Sequence, residues 1–342
     1  MTKPRSQLID VNETPYYHCI CRCVRRAFLY GEDHLTGKRF DHRKEWVVER
    51  LALLSDTFSI DVCSYAVMSN HYHVVLRIDQ HTAKDMNDNV VAKRWRRLYH
   101  WPLLVEKYIN NKATRAEANK AKSIIQTWRE RLHDISWFMR CLNEYLARKA
   151  NLEDNCKGRF WESRFKSQAL LGEAAVLTCM SYVDLNPIRA SIAKAPEEFD
   201  HTSIQQRINK IKPPKVAKKM KAPSKDKRSP VKLMPLVKAK SDKHPNAIGY
   251  TLKDYLELID WVGRSVRNDK RGAIDQKEPP ILNRLGLNTD EFIDHVLTKN
   301  EHVHYPCATG PLDRLKELAA HWKQNFIKGQ YSIMRIYHTA KA

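Results

Sequence analysis

The stretch from Ile60 to Asp79 constrains this chain more than any other. Ile60-Asp-Val-Cys-Ser-Tyr-Ala-Val-Met68 alternates and is rich in strand formers, and His71-Tyr-His-Val-Val-Leu76 opens a second apolar, β-branched run. The short Ser69-Asn70 step between them suits a hairpin turn. Side chains alternate across a strand, so His71 and His73 share one face and can converge on one metal ion, while Tyr72 faces the other way. A second His-x-His, His302-Val303-His304, follows charged Thr298-Lys-Asn-Glu301 and precedes Tyr-Pro-Cys, a loop-like context. With 15 His in 342 residues a match of this kind is expected by chance, and context favours the first pair.

The elements around this hairpin suggest a fold class. Residues 15–26 read as a first strand, 41–58 as a helix with one buried face, and 59–68 and 71–79 as the hairpin strands. Strand, helix, strand, strand predicts a compact sandwich of helices on an antiparallel sheet. Residues 82–133 are charged and helical in character, an insertion on that domain. Ile135, Phe138, Met139, Leu142 and Leu146 mark one face of a helix over 135–150. The segment Lys157–Lys166 then alternates basic and aromatic residues and runs into an apolar, strand-like tail. Residues 174–192 form a helix, ended or kinked by Pro187. We expect a domain over 1–200, a Lys/Pro-rich linker over 201–245, and a helical C-terminal module over 246–342, with helices from 252, over 279–298 and over 312–326.

The formal charge of +21 implies a polyanionic partner, with nucleic acid the first candidate. Residues 207–243 hold 14 Lys or Arg against two Asp, an excess of +12, which leaves +9 for the rest. No run of 18 apolar residues predicts a membrane span, and the N-terminus lacks the apolar core of a signal peptide. Eight cysteines without CxxC spacing suit a reducing compartment, so a cytoplasmic, nucleoid-associated protein is expected. Cys19, Cys21 and Cys23 alternate along the first strand and read as buried thiols rather than a soft-metal site.

Tyr182 and Asn186 stand four residues apart on the late helix and so share a face. Two imidazoles, an amide oxygen and a phenol together would make a metal-assisted site for attack on phosphate. His71, His73 and Asn186 are a mixed N/O ligand set that suits Mg²⁺ or Mn²⁺ better than structural zinc. A phenol with a pKa near 10 is a weak nucleophile at neutral pH and needs such help. Attack by Tyr182 would leave a covalent phosphotyrosine, which stores the bond energy for rejoining. Tyr145 is the main rival, but its i+4 neighbour is Lys149. Spacing alone equally allows a buried Tyr182 and a helix-terminal Asn186. Lys157, Arg159, Arg164 and Lys166 with Phe160, Trp161 and Phe165 are candidates for holding a DNA strand, cations on the backbone and rings stacked on bases. They also fit a core strand with inward aromatics and solvated charges.

Three motifs in order, HYH at 71–73 after SYAVMSN, KGRFWESRFKS at 157–167 and SYVDLNPIRA at 181–190, resemble the REP-associated tyrosine transposases of the single-tyrosine HUH superfamily. The resemblance covers roughly residues 10–200. It implies an α+β, ferredoxin-like sheet domain with the histidine pair on a central strand. It also implies divalent-metal-dependent cleavage and rejoining of single-stranded or hairpin DNA through a 5′-phosphotyrosine. His71, His73 and Asn186 would be metal ligands, Tyr182 the nucleophile, and Arg189 a DNA contact in the same motif. Such a protein acts as a monomer or homodimer. A catalytically inactive DNA- or RNA-binding regulator on the same fold is the alternative. A replication or conjugation nickase is disfavoured, since no GxxxxGK[ST] loop marks an attached helicase.

Overall fold

The computed structural model describes residues 8–24, 29, 31–32, 37–193, 195–211, 230–237, 246–265 and 307–327. The expected helix at 279–298 and the pair His302 and His304 lie outside them.

The strand-forming runs become β1 (Tyr16–Arg22), β2 (Ile60–Val67) and β3 (His71–Ile78), with helix α1 (His42–Thr57) between the first two. Four helices fill the expected insertion: α2 (Gln80–Asp85), α3 (Asp88–Arg96), α4 (Leu103–Ile109) and α5 (Arg115–Arg131). After them come α6 (Ile135–Glu153), β4 (Lys166–Leu170), α7 (Glu173–Asp184) and the single turn α8 (Asn186–Arg189). The described remainder holds α9 (Ser203–Ile211), α10 (Leu252–Ser265), β5 (Ala308–Thr309) and α11 (Leu312–His321). The sheet order is β2-β3-β1-β4-β5, antiparallel except for the short β4–β5 edge pair. Taken through β4 this is the βαββαβ ferredoxin-like arrangement, an α+β fold as expected.

Alternation, broken once in β2, divides the sheet into two faces. Tyr17, Cys19, Cys21, Tyr72, Val74 and Leu76 point to a first core shared with Val47, Leu51 and Leu54 of α1 and Phe138, Leu142 and Leu146 of α6. Arg43 pins α1 to the end of α6 through Glu153 and Asp154. The second face carries Ala66 and Val75 against Val176, Met180 and Val183 of α7 and Tyr255 and Ile259 of α10. A β-bulge between Val62 and Ser64 lets Cys63 and Ser64 both serve this second face. Residues 230–237, inside the stretch expected as a linker, run along β2, where Met234 N–H donates to Val62 O at 2.8 Å. Val231 and Met234 are apolar enough to bury there despite the surrounding lysines.

Asp184 anchors α7. It is buried and accepts from Ser203 Oγ at 2.5 Å, Ile204 N–H at 3.1 Å and Tyr255 Oη at 2.6 Å. One carboxylate thereby ties α7 to both α9 and α10. Burial pushes its pKa above the usual carboxylate range, against the lowering effect of Ser203 and Tyr255. A raised native pKa means the folded state binds the extra proton, so this contribution weakens as pH climbs from about 4 through the native value. We expect Asp184→Ala to cost about 3 kcal/mol in urea unfolding, because three donors lose their acceptor. The smaller penalty of Asp184→Asn should shrink further as pH rises through that window. A pH-independent penalty would contradict the assignment.

Candidate active site on the second sheet face

The hairpin forms as the alternation requires, with Met68 N–H donating to His71 O at 2.8 Å. His71 and His73 both point to the second face, and their ring centroids are 4.9 Å apart. Tyr72 points the opposite way and donates its hydroxyl to Asn143 Oδ1 at 2.5 Å. His73 pairs with Ile20 on β1 and with Ala66 on β2, so a small side chain flanks it on the β2 side. His71 Nδ1 lies 2.7 Å from Asn70 Oδ1. An amide oxygen can only accept, so Nδ1 carries the proton and Nε2 the lone pair.

Helix α7 delivers Tyr182 to the same place. The Tyr182 ring centroid lies 5.6 Å from that of His73, edge to face. The helix breaks at Leu185 because Pro187 has no N–H to continue the ladder. A new turn starts at once, keeping Asn186 on the face of Tyr182, and Asn186 Nδ2 lies 3.2 Å from His73 Nε2. Arg189, one turn on, places its guanidinium carbon 5.1 Å from the Tyr182 ring centre. Burial raises the Tyr182 pKa above 10; Arg189, by its charge and a hydrogen bond, and a hydrogen bond from Asn186 oppose that rise. The phenol is therefore neutral at rest, beside groups that favour its anion.

Two residues escaped the sequence reading. His18 is fully buried on β1, with Nε2 3.0 Å from His73 Nδ1. The signal was available: if Cys19, Cys21 and Cys23 face one core, His18 faces the other side, and only the β1–β3 pairing was needed to bring it to His73. Asp184 was the second, hidden because its partners lie far along the chain. Gln168, the register partner of His18 on β4, is buried with no hydrogen-bond partner for its Nε2 among the described residues.

The donor set can be tested for a divalent cation. Among the described residues, no group of three or more His, Cys, Asp or Glu side chains is gathered to hold an ion unaided. The candidate set therefore needs the Asn186 amide. Octahedral Mg²⁺ with bonds of about 2.1 Å sets neighbouring ligand atoms about 3 Å apart. The Asn186 amide end and His73 Nε2 meet that spacing, and a half-turn of the amide presents Oδ1. Asn186 and His73 fit the group, and the His71 ring lies beside them, 4.9 Å from that of His73 between centroids.

The basic–aromatic segment divides. Phe160 and Phe165 are buried and Trp161 is half-buried, its Nε1 donating to Asn143 O at 2.9 Å and its ring 5.6 Å from Tyr72. The rings belong to the first core, so base stacking does not fit Phe160. Lys157, Arg159, Arg164 and Lys166 are exposed. Lys166 pairs with Ile20, and Arg22 pairs with His71, which puts both cations on the histidine face by register. Tyr145, the rival nucleophile, packs against the first core on the far side of the sheet. Phe160→Ala should cost about 3–5 kcal/mol of stability in denaturant titration, and Arg164→Ala less than about 0.5 kcal/mol. Equal costs would contradict this inward–outward division.

No family model matches this chain, and no curated protein matches it. A solved structure of a REP-associated tyrosine transposase bound to a REP hairpin is similar over 62% of this chain and 89% of that one, with 12% identity and a TM-score of 0.33.

Proposed function

We propose that this chain cleaves and rejoins single-stranded DNA through a covalent tyrosine intermediate, as a transposase of the REP-associated type. The observation that carries the reading is the meeting of Tyr182 with His73 and Asn186, contributed by a late helix and an early strand. Packing alone accounts for an aromatic at that position. It gives no reason to surround a phenol with imidazoles, an amide and a guanidinium.

Held by His71, His73 and Asn186, Mg²⁺ or Mn²⁺ would polarise the scissile phosphate and offset the charge that develops on it. Tyr182 Oη attacks phosphorus, an Oη–P bond forms, and the P–O3′ bond breaks. Oη gives up its proton to water as it attacks, and the departing O3′ takes up a proton from water to leave as a hydroxyl, so the protons balance and a 5′-phosphotyrosine remains. Arg189 stabilises the anionic character of Oη during attack, and Asn70 keeps the His71 lone pair on Nε2. Rejoining reverses the steps when a 3′-hydroxyl attacks the phosphotyrosine, so no nucleotide cofactor is required. All of these groups come from one chain, and the chemistry needs no residue from a second copy. The net charge of +21 and the exposed cations Lys157, Arg159, Arg164 and Lys166 support a DNA strand or hairpin as substrate. No described helix is long and apolar enough to cross a membrane.

The test is incubation with labelled single-stranded hairpin oligonucleotides from the flanking genomic sequence, with Mn²⁺, followed by denaturing electrophoresis. A slow, protease-sensitive band should appear, vanish with EDTA and return with Mg²⁺ or Mn²⁺. Tyr182→Phe should abolish the band while leaving hairpin binding nearly unchanged. An adduct in the Phe variant, or cleavage that persists in EDTA, would overturn the site assignment. Replacing one of Lys157, Arg159, Arg164 or Lys166 with Ala should flatten the salt dependence of single-strand affinity by about 0.7 in log–log slope. An unchanged slope in all four variants would remove this surface from the DNA path.

A further inference from the structure

His18 is a buried polar side chain against the site that the proposed reaction does not use. Register sets it diagonal to His73, because His18 pairs with Val75 and Ile20 with His73 on the same ladder. The two rings lie edge to edge and close to coplanar, with centroids 5.1 Å apart and planes 25° apart, so an in-plane N–H on one can meet a lone pair on the other. His18 Nε2 meets His73 Nδ1 at 3.0 Å, and on the other edge of the same ring Asn186 Nδ2 meets Nε2 at 3.2 Å. His73 is thus held at both nitrogens, and the two contacts constrain each other.

The constraint follows from donor and acceptor capacity. In the amide orientation of this structure Nδ2 faces the ring, and an NH₂ only donates, so His73 Nε2 accepts and keeps the lone pair that a cation would take once the amide turns its Oδ1 inward. A neutral imidazole has one N–H, which must then sit on Nδ1 and point at His18. His18 Nε2 is the acceptor, and the His18 proton lies on its own Nδ1. We propose that His18 is a positioning residue: it accepts the His73 Nδ1–H and so fixes the orientation and tautomer that leave the His73 Nε2 lone pair facing Asn186.

This is the role that a carboxylate or carbonyl plays behind a metal-binding histidine, performed here by a second imidazole. A neutral acceptor suits the position, since a carboxylate buried this deeply would need a paired cation. The consequence for cation binding rests on the proposed function above. The tautomer does not.

Two variants separate the hydrogen bond from packing. His18→Gln keeps an acceptor oxygen, whereas His18→Leu fills the space without one. Selective nitrogen-15 histidine labelling of the full chain reads the His73 tautomer directly, and Mn²⁺ titration by electron paramagnetic resonance reads affinity. Wild type should show His73 protonated on Nδ1, with His18→Gln preserving both the tautomer and the Mn²⁺ affinity. His18→Leu should mix the tautomers and weaken Mn²⁺ binding about 10–100-fold, with the circular dichroism spectrum unchanged. Wild-type His73 protonated on Nε2, or a Leu variant with an unaltered tautomer, would overturn the proposal. If the Leu variant fails to fold, the Gln variant decides, and a changed tautomer there overturns it equally. A wild type that shows the expected tautomer but binds no Mn²⁺ would sink the metal reading and leave the role of His18 standing.

Discussion

The antiparallel ladder between β1 and β3 is the constraint on which the molecule depends. Its register pairs Ile20 with His73 and His18 with Val75, and the pleat sends alternate residues to opposite sides. One side of β3 becomes core through Tyr72, Val74 and Leu76, while the other presents His71 and His73. A one-residue slip would turn Tyr72 toward the site and bury both imidazoles among Leu51, Phe138 and Leu142. The first core therefore does more than stabilise the sheet, because its apolar pattern forbids that slip. Cys19 and Cys21 on β1 enforce the same choice from the neighbouring strand.

The proposed function adds one requirement to this sheet: a helix from more than a hundred residues later must dock on the histidine face. Asp184 holds that helix in place from below. Its three donors come from α9 and α10, so segments remote from the motifs hold the element that carries Tyr182. Tyr182 and Asp184 are two residues apart on α7 and point to different neighbours, one to the imidazoles and the other into a buried polar node. The break at Leu185 then lets Asn186 and Arg189 turn back toward the phenol. Stability and the proposed chemistry are joined in a stretch of eight residues.

Much of this was legible in local pattern. The hairpin Ile60–Ile78 followed from alternation and a polar step, and the helix at 135–153 from the spacing of Ile135, Phe138 and Leu142. The shared face of His71 and His73 needed only the period of a strand. The basic–aromatic segment was ambiguous, because alternation there fits a strand-stacking surface and a core edge equally well. Burial of Phe160 and Phe165 resolved it, and burial depends on α6 and β1 rather than on the segment itself. The face of His18 was legible from the alternating cysteines, but its partner, like those of Asp184, was not, for a different reason. Each acts through partners set by tertiary pairing, across β1–β3 for one and α7–α10 for the other, and no local period encodes those. The burial of Val231 and Met234 against β2 was likewise masked by the lysine excess around them.

The central claim is that the Tyr182 oxygen is the atom that bonds to phosphorus. Trypsin cleaves after Lys166 and after Arg189, and the peptide Ser167–Arg189 contains Tyr182 as its sole tyrosine. Mass spectrometry of the digested, nuclease-trimmed reaction with a hairpin oligonucleotide therefore identifies the attached residue directly. The account predicts a nucleotide mass on that peptide, localised to Tyr182. A nucleotide on the Tyr145 peptide Cys141–Arg148, or on none at all under conditions that cut the DNA, would contradict it.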